Sequence, residues 1–184
     1  MDSAHELFKA VSLYAPSKAQ TFNSQDISNT VWAFSRAGVL APELFLALAE
    51  VAIEKMDEFN SQALANTVWA FAKAGVEAPL MFEAAAQAAV GALKLNSFNS
   101  QNLCNTVWAY AKAGIEAPVL FEAVAAAAPA KMESFNSQTL SNTAWAYSTA
   151  GVKAPALFKA IEKEAIKKIS TFSAQQLANL VWSY

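Results

Sequence analysis

The sequence contains a single thiol and a single imidazole, the side chains of Cys104 and His5. Cys104 stands at a position that recurs along the chain as Ser or Ala, so we expect it to fill a small packing site. His5 stands where the recurring pattern has Pro at the start of a helix. Neither has a partner at the spacing of a catalytic or metal-binding motif, and the carboxylates are scattered rather than paired. The sequence therefore predicts no enzymatic activity: no catalytic residue, metal site, cofactor or small-molecule substrate.

Three cationic side chains, by contrast, recur at a regular interval. Arg36, Lys73 and Lys112 are separated by 37 and 39 residues, and the next copy has Thr149 at this position. A cation placed once per structural unit can contact one phosphate per unit of a nucleic-acid strand. The structural alternative is that a Lys in the last turn of a helix stabilises the helix C-terminus.

These cations belong to an internal repeat that covers nearly the whole chain. The string Phe-Asn-Ser-Gln begins at residues 22, 59, 98 and 135, and a variant begins at 172. A tryptophan follows ten residues after each phenylalanine, at Trp32, Trp69, Trp108, Trp145 and Trp182. We treat residues 1–184 as a single array with units of about 22–58, 59–97, 98–134 and 135–171, and with partial units at 1–21 and 172–184. A repeat of this length predicts stacked units in which each contacts only its neighbours.

Each unit is predicted to contain two helices. The first, helix A, starts after an N-capping residue such as Asn23 and ends at a glycine such as Gly38. The second, helix B, starts with a proline such as Pro42. No segment alternates for long with the period of a strand. The sequence thus predicts an all-α fold: an α-solenoid of 37–39-residue helix-turn-helix repeats, with about ten antiparallel helices. We expect a right-handed superhelix with helix A on the inner surface.

Composition excludes several other classes of protein. Hydrophobic residues make up 55% of the sequence, and there are 5 Gly and 6 Pro, which argues against disorder and against a turn-rich β-sandwich. The net charge of −2 argues against a strongly basic nucleic-acid clamp. The longest apolar runs are interrupted by Glu and Pro, so we expect no membrane insertion. The first residues do not have the pattern of a secretory signal, and no targeting segment is recognised.

The repeat resembles the octotricopeptide repeat family. The resemblance lies in a helix of the form Gln-x-Leu-Ala-Asn-x-x-Trp-Ala, followed by Gly, Pro and a second helix, and it is best in residues 59–70 and 172–182. It extends over almost all of the chain and implies an α-solenoid that binds single-stranded RNA in chloroplasts or mitochondria. The implied role is in RNA stability, processing or translation. The chain departs from the family pattern where the first helical position, commonly Pro, is Ser24, Ser61, Ser100 or Ser137.

Helix A carries a stripe, spaced three, four and three residues apart, that we expect to face the inner surface. Its first position differs in every copy and is the candidate for reading RNA bases, the alternative being a tolerant exposed site. The residues are Asp26, Ala63, Asn102, Thr139 and Gln176. Its second position never changes and is predicted to form a structural ladder of amides between repeats: Asn29, Asn66, Asn105, Asn142 and Asn179. Its last position holds the phosphate-contact candidates Arg36, Lys73 and Lys112. The tryptophans lie off this stripe, and we expect them in the core.

Two functions are compatible with these patterns. The first is binding of single-stranded RNA by an organellar solenoid, which the family resemblance and the varying position favour. The second is a protein-binding or structural scaffold, for example a subunit of a large organellar complex with no RNA contact of its own. The net negative charge and the single Arg favour the scaffold, because phosphate neutralisation normally dominates affinity for nucleic acid. The chloroplast or the mitochondrion is the location that the resemblance implies.

Overall fold

The structure, a computed structural model, describes residues 2–91 and 96–184. Residues 92–95, near the end of the second predicted unit, lie outside the described residues. Within these two ranges there are ten α-helices and no strand. The helices are α1 (Asp2–Tyr14), α2 (Ser24–Ala37), α3 (Pro42–Glu54), α4 (Ser61–Ala74), α5 (Pro79–Val90), α6 (Ser100–Ala113), α7 (Pro118–Ala127), α8 (Ser137–Thr149), α9 (Pro155–Lys167) and α10 (Ala174–Trp182). The prediction of an all-α helical-repeat solenoid is confirmed. None of the described helices is long and apolar enough to cross a membrane.

The helix boundaries follow from local sequence signals. The Asn23 side-chain oxygen accepts a hydrogen bond from the backbone N–H of Asp26 at 2.9 Å, which satisfies one donor left free in the first turn of α2. Gly38 ends this helix at a φ of 67°, in the left-handed region that favours glycine. Pro42 then begins α3, where its missing N–H costs no helical hydrogen bond. The same cap, glycine and proline recur in the next two complete units, so the predicted helix ends are confirmed there.

The helices form two layers. The A helices α2, α4, α6, α8 and α10 make one layer, and the B helices α1, α3, α5, α7 and α9 make the other. Neighbouring A helices pack against each other along their length, whereas neighbouring B helices touch much less. A layer whose members lie closer together is on the inside of a curved array. We therefore call the open side of the A layer, opposite the B helices, the concave surface.

Aromatic pairs join each B helix to the next unit, in the first four cases to its A helix. Phe45 of α3 packs edge-to-face on Phe71 of α4, with ring centroids 5.0 Å apart. Phe121 of α7 packs in the same way on Tyr147 of α8, at 5.0 Å. The Tyr147 hydroxyl also donates to the backbone carbonyl of Phe121 at 2.7 Å. Burial raises the pKa of the Tyr147 phenol, so this hydroxyl stays a neutral donor.

Polar side chains at the loops add further contacts between units. The Ser100 hydroxyl at the start of α6 donates to the carbonyl of Ser134 at 3.0 Å, and Ser137 at the start of α8 donates to Thr171 at 3.1 Å. Ser24 makes the equivalent bond, to Glu58, at 3.2 Å. Proline has no side-chain donor, so the serines bridge units in a way that the proline of the octotricopeptide pattern could not.

Lysines near the ends of B helices act as further clamps between units. The Lys55 ammonium donates to the carbonyls of Gln20 and Phe22, at 3.1 and 2.8 Å. The Lys168 ammonium donates to the carbonyls of Glu133 and Phe135, both at 2.7 Å. Each ammonium thus satisfies two backbone carbonyls in the loop before the preceding A helix. The ammonium groups of Lys55 and Lys168 are therefore occupied by hydrogen bonds within the protein and are poor candidates for contacting a ligand.

Candidate nucleic-acid interface

One face of each A helix is directed away from the B layer, onto the concave surface. In α6 this face carries Gln101, Asn105, Trp108 and Lys112, spaced four, three and four residues apart. At 100° per residue these four side chains fall within about 60° of the helix circumference. Gln101 and Lys112 are exposed, and Asn105 and Trp108 are half-buried. We call this set the concave stripe.

The concave stripe repeats as four parallel columns, three of which extend over all five A helices and the fourth over four. The glutamine column is exposed in every copy, at Gln25, Gln62, Gln101, Gln138 and Gln175. The asparagine and tryptophan columns follow, and the fourth column holds Arg36, Lys73, Lys112 and Thr149, all exposed. The concave surface therefore offers an amide pair, an indole and, in three units, a cation.

The tryptophans form a ladder along this surface. The ring centroids of Trp69 and Trp108 lie 6.2 Å apart with planes inclined by 33°, and those of Trp108 and Trp145 lie 6.4 Å apart and 37° inclined. These three rings are half-buried against the core, while Trp32 and Trp182 at the two ends are 42% and 64% exposed. The prediction of a core tryptophan column is therefore wrong in part. The indoles share the angular position of the glutamines and asparagines, so the core covers the three middle rings only in part.

The cationic column lies at the C-terminal end of the concave stripe and is exposed. The Arg36 guanidinium carbon is 5.6 Å from the ring centroid of Trp32, a cation–π arrangement at the first unit. Lys73 and Lys112 are exposed and form no ion pair with any residue of 2–91 or 96–184. Their contact with phosphate stays a prediction.

Charge is divided unequally between the two layers. The five A helices contain three cations and a single carboxylate, Asp26, which gives them a net charge of +2. The rest of the chain has ten cations and fourteen carboxylates. The overall charge of −2 therefore conceals a positive A layer and a negative remainder.

The varying column proposed for base reading does not lie on the concave surface in the middle units. Ala63, Asn102 and Thr139 are only 7%, 6% and 1% exposed, because this side of each A helix packs on the preceding A helix. At the two ends, the side chains of Asp26 and Gln176 accept hydrogen bonds from the N-cap backbone N–H groups of Asn23 and Ser173. This burial disagrees with a base-reading role for the middle three residues, since a base edge cannot reach them while the units remain stacked.

The asparagine column does not form the predicted ladder between repeats. Asn29 is exposed, and Asn66, Asn105, Asn142 and Asn179 are half-buried. The Asn105 side-chain oxygen accepts from the Gln101 amide nitrogen at 2.7 Å, within one helix. No hydrogen bond joins the amides of neighbouring units among the residues that the structure describes. The column faces the concave surface instead, where its amides remain available to a ligand.

The isolated thiol and imidazole are placed apart from this surface. Cys104 is buried on the side of α6 that faces α8, and burial raises the pKa of its thiol to about 12, so it stays protonated. Its role as a packing residue agrees with the Ser and Ala of the other copies. His5 is exposed on α1. Across residues 2–91 and 96–184, no three His, Cys, Asp or Glu side chains are grouped to hold a metal ion.

The glutamine column was missed by the sequence-based assignment, and the tryptophan column was assigned to the wrong environment. Both were detectable as a pattern. Gln25, Asn29, Trp32 and Arg36 recur together in the copies and share one narrow angular sector of the helix. The predicted stripe began at Asp26 instead of Gln25. Its first position therefore lay further around the helix, on the side that packs against the preceding A helix.

Comparison with protein families gives two matches. The model of the RNA-editing substrate-binding complex 6 protein matches residues 92–184. A model described only as a protein of unknown function, DUF1601, matches residues 7–31 and 56–68. The chain thus belongs to the RNA-editing substrate-binding complex 6 protein family, over its C-terminal half. Neither model is that of the octotricopeptide repeat, so that closer resemblance is not established. No curated protein matches the chain.

Proposed function

We propose that the concave surface binds single-stranded RNA, with bases stacked against the tryptophan ladder and phosphates held by the cationic column. The single observation that carries this proposal is the row of three half-buried indoles 6.2 and 6.4 Å apart on a surface that also bears one amide pair per unit. Aromatic side chains on which bases can stack, with cations nearby, are the usual elements of a single-strand site.

The ring spacing suits the insertion of one base between neighbouring indoles. Stacked bases are separated by about 3.4 Å, so a base between two rings requires roughly 6.8 Å. The centroid distances between neighbouring rings of Trp69, Trp108 and Trp145 are about 0.5 Å shorter than this, and the ring planes are inclined rather than parallel. A small side-chain rotation that opens and flattens each gap would admit one base per unit. Such stacking changes the environment of the indoles and should quench their fluorescence.

The positive A layer supports the same ligand. Arg36, Lys73 and Lys112 supply one cation per unit over three units, and no carboxylate other than Asp26 lies on the A helices. The cations of the B-helix ends, such as Lys55 and Lys168, bind loop carbonyls and add little to a phosphate site. The RNA site therefore has a small electrostatic component, and base stacking contributes much of the affinity.

The test is a titration of labelled single-stranded 20-mers, followed by fluorescence anisotropy and by quenching of the tryptophans. We expect binding at low salt, with quenching that saturates at the same RNA concentration as the anisotropy. Double-stranded RNA of the same length is the control and should bind more weakly, because its bases are not free to stack on the indoles. Absence of binding to every single strand at low salt would refute the proposal.

The family match suggests the kind of complex in which the proposed RNA binding would take place. The matching family is named for an RNA-editing substrate-binding complex, and we propose that the chain acts in such an assembly. An organellar location is compatible with this setting. We retain the mitochondrion as the proposed location, since nothing supports the chloroplast.

A protein-binding role is the second candidate, and a different surface supports it. An open groove of about 780 Å³ lies between α5 and α7 on the B layer and is lined by Pro79, Val90 and Val119 among others. Val119, which lines this groove, is 62% exposed and adds apolar surface that a protein partner could cover. If RNA fails to bind, this groove becomes the leading site and the scaffold function is favoured.

A further inference from the structure

The amides and indoles of the concave stripe are the same in every unit. The glutamine, asparagine and tryptophan columns do not vary in any of the five A helices, and the fourth column is cationic in three. Variation among the units is instead concentrated at buried or capped positions, such as Asn102 and Thr139 in the interface between A helices. Apart from the cationic column, the accessible stripe is therefore constant, and the middle units vary at positions that RNA cannot reach.

Because every unit offers the same glutamine and asparagine side chains, every unit should favour the same base. Each base presents its own pattern of donors and acceptors, and a Gln–Asn pair offers a fixed set of amide donors and acceptors. In α6 the Gln101 amide nitrogen already donates to the Asn105 oxygen, which orients the pair and leaves defined groups toward solvent. The base that best satisfies this pair in one unit also satisfies it best in the next.

We propose that the concave surface prefers a homopolymeric tract of single-stranded RNA over a strand of mixed sequence. This inference rests on the proposed RNA-binding function and specifies its substrate class. Each unit takes one nucleotide of the tract between neighbouring indoles, and successive units repeat the same amide contacts. A strand can then shift by one unit without loss of contacts, so the tract is held in several equivalent registers.

The test compares the affinities of 20-mers of A, U and C with that of a mixed-sequence 20-mer chosen to lack secondary structure. We expect the best homopolymer to bind about tenfold more tightly than the mixed strand, because most units meet an unfavourable base in the latter. A mixed strand that binds as tightly as the best homopolymer would overturn the inference. Absence of binding to all strands would instead refute the RNA-binding function itself, so the two failures are distinguishable.

Two adjacent residues of α6 provide a matched pair of variants. Gln101→Ala removes an accessible amide, and Asn102→Ala removes a buried one while restoring the residue type found at Ala63. We expect Gln101→Ala to reduce the ratio between homopolymer and mixed-strand affinities, and Asn102→Ala to leave that ratio unchanged. Circular dichroism and thermal melting verify that both variants fold. A change of base preference in Asn102→Ala alone would show that the varying column reads bases and would overturn the inference.

Discussion

The indole rings of Trp108 and Trp145 lie 6.4 Å apart with their planes inclined by 37°, although 37 residues separate them in the chain. The distance is set by the packing of α6 on α8, which places equivalent residues of successive units side by side. Each ring is half-buried against the core, so the stacked units hold its orientation while part of its surface remains accessible. In the proposed binding mode, each ring would rotate from this packed orientation to admit a base.

Replacement of a ladder tryptophan should lower RNA affinity and, to a similar extent, the stability of the fold. Stacking contributes about 1–3 kcal/mol per base, so we expect Trp108→Ala to lower affinity roughly 5- to 100-fold. Because the ring is half-buried, the loss in unfolding free energy should be about 1–3 kcal/mol, below the 3–5 kcal/mol of a fully buried Trp. Anisotropy titration and chemical denaturation measure the two effects. Trp108→Phe, which retains a stacking ring, is the control. Unchanged affinity in Trp108→Ala would assign the column to packing alone.

The cationic column should determine the salt dependence of binding. Three phosphate contacts predict a slope near −2 in a plot of log affinity against log salt for a single strand. Lys112→Ala should weaken all sequences alike and flatten the slope by about 0.7, and Thr149→Lys should steepen it by the same amount. Lys163→Ala, an exposed lysine of the B helix α9, is the control and should change neither. Equal effects of Lys112→Ala and Lys163→Ala would argue against phosphate contacts on the concave surface.

The hydroxyl of Tyr147 should stabilise the stacking of units without influencing RNA. Tyr147→Phe leaves the Phe121 carbonyl without its donor, and we expect a loss of about 1–2 kcal/mol in unfolding free energy. The ring itself should still fit, because α4 has Phe71 at this position. Urea denaturation gives the stability, and the anisotropy titration should give an unchanged affinity at a temperature where the variant is folded. A large loss of affinity in the folded variant would contradict the structural role.

Acid should remove a stabilising contact in α9. The Glu164 carboxylate accepts hydrogen bonds from Lys167 and Lys168, each at 2.9 Å, and these two ammonium groups lower the pKa of the carboxyl below its usual 4.5. A lowered folded-state pKa means that the contribution is complete above pH 4.5 and is lost as pH falls through the folded-state value.

The comparison of Glu164→Gln with the parent protein tests this contact. We expect the variant to melt at a lower temperature at pH 7 and the difference to shrink steadily below pH 4.5. Glu122→Gln, at an exposed carboxylate that forms no ion pair within the described residues, is the control. A difference in melting temperature that persists unchanged to pH 2 would refute the ion-pair explanation.

Cys104 should be unreactive in the folded protein. With a pKa of about 12 and 1% exposure, its thiol forms almost no thiolate at pH 8 and has no access to reagents. A disulfide reagent such as DTNB should modify it only after denaturation. Cys104→Ala should be tolerated in stability and RNA affinity, because Ala65 and Ala178 occupy the same position in other units. Rapid modification of the native protein would show that α6 and α8 separate readily.

The sequence alone determined where the helices begin and end and how the repeat units are aligned. Helix ends depend on interactions between residues close in sequence. The Asn23 cap bonds to Asp26, three residues away, and the positive φ at Gly38 favours glycine there, so no distant residue is needed to predict them. The register of the repeat is likewise visible in the spacing of the tryptophans.

The direction of each side chain around helix A depended on the tertiary structure. A helical wheel gives the angles between Asn102, Asn105 and Trp108, but both sides of the helix bear apolar residues, so the wheel does not show which side the neighbouring helices cover. That is decided by packing: α6 is covered by α4 on one side and α8 on the other, which buries Asn102 and leaves Trp108 at the open surface. The distance between indoles of successive units could not be predicted from the sequence either, because it depends on how closely two A helices approach across their small buried residues.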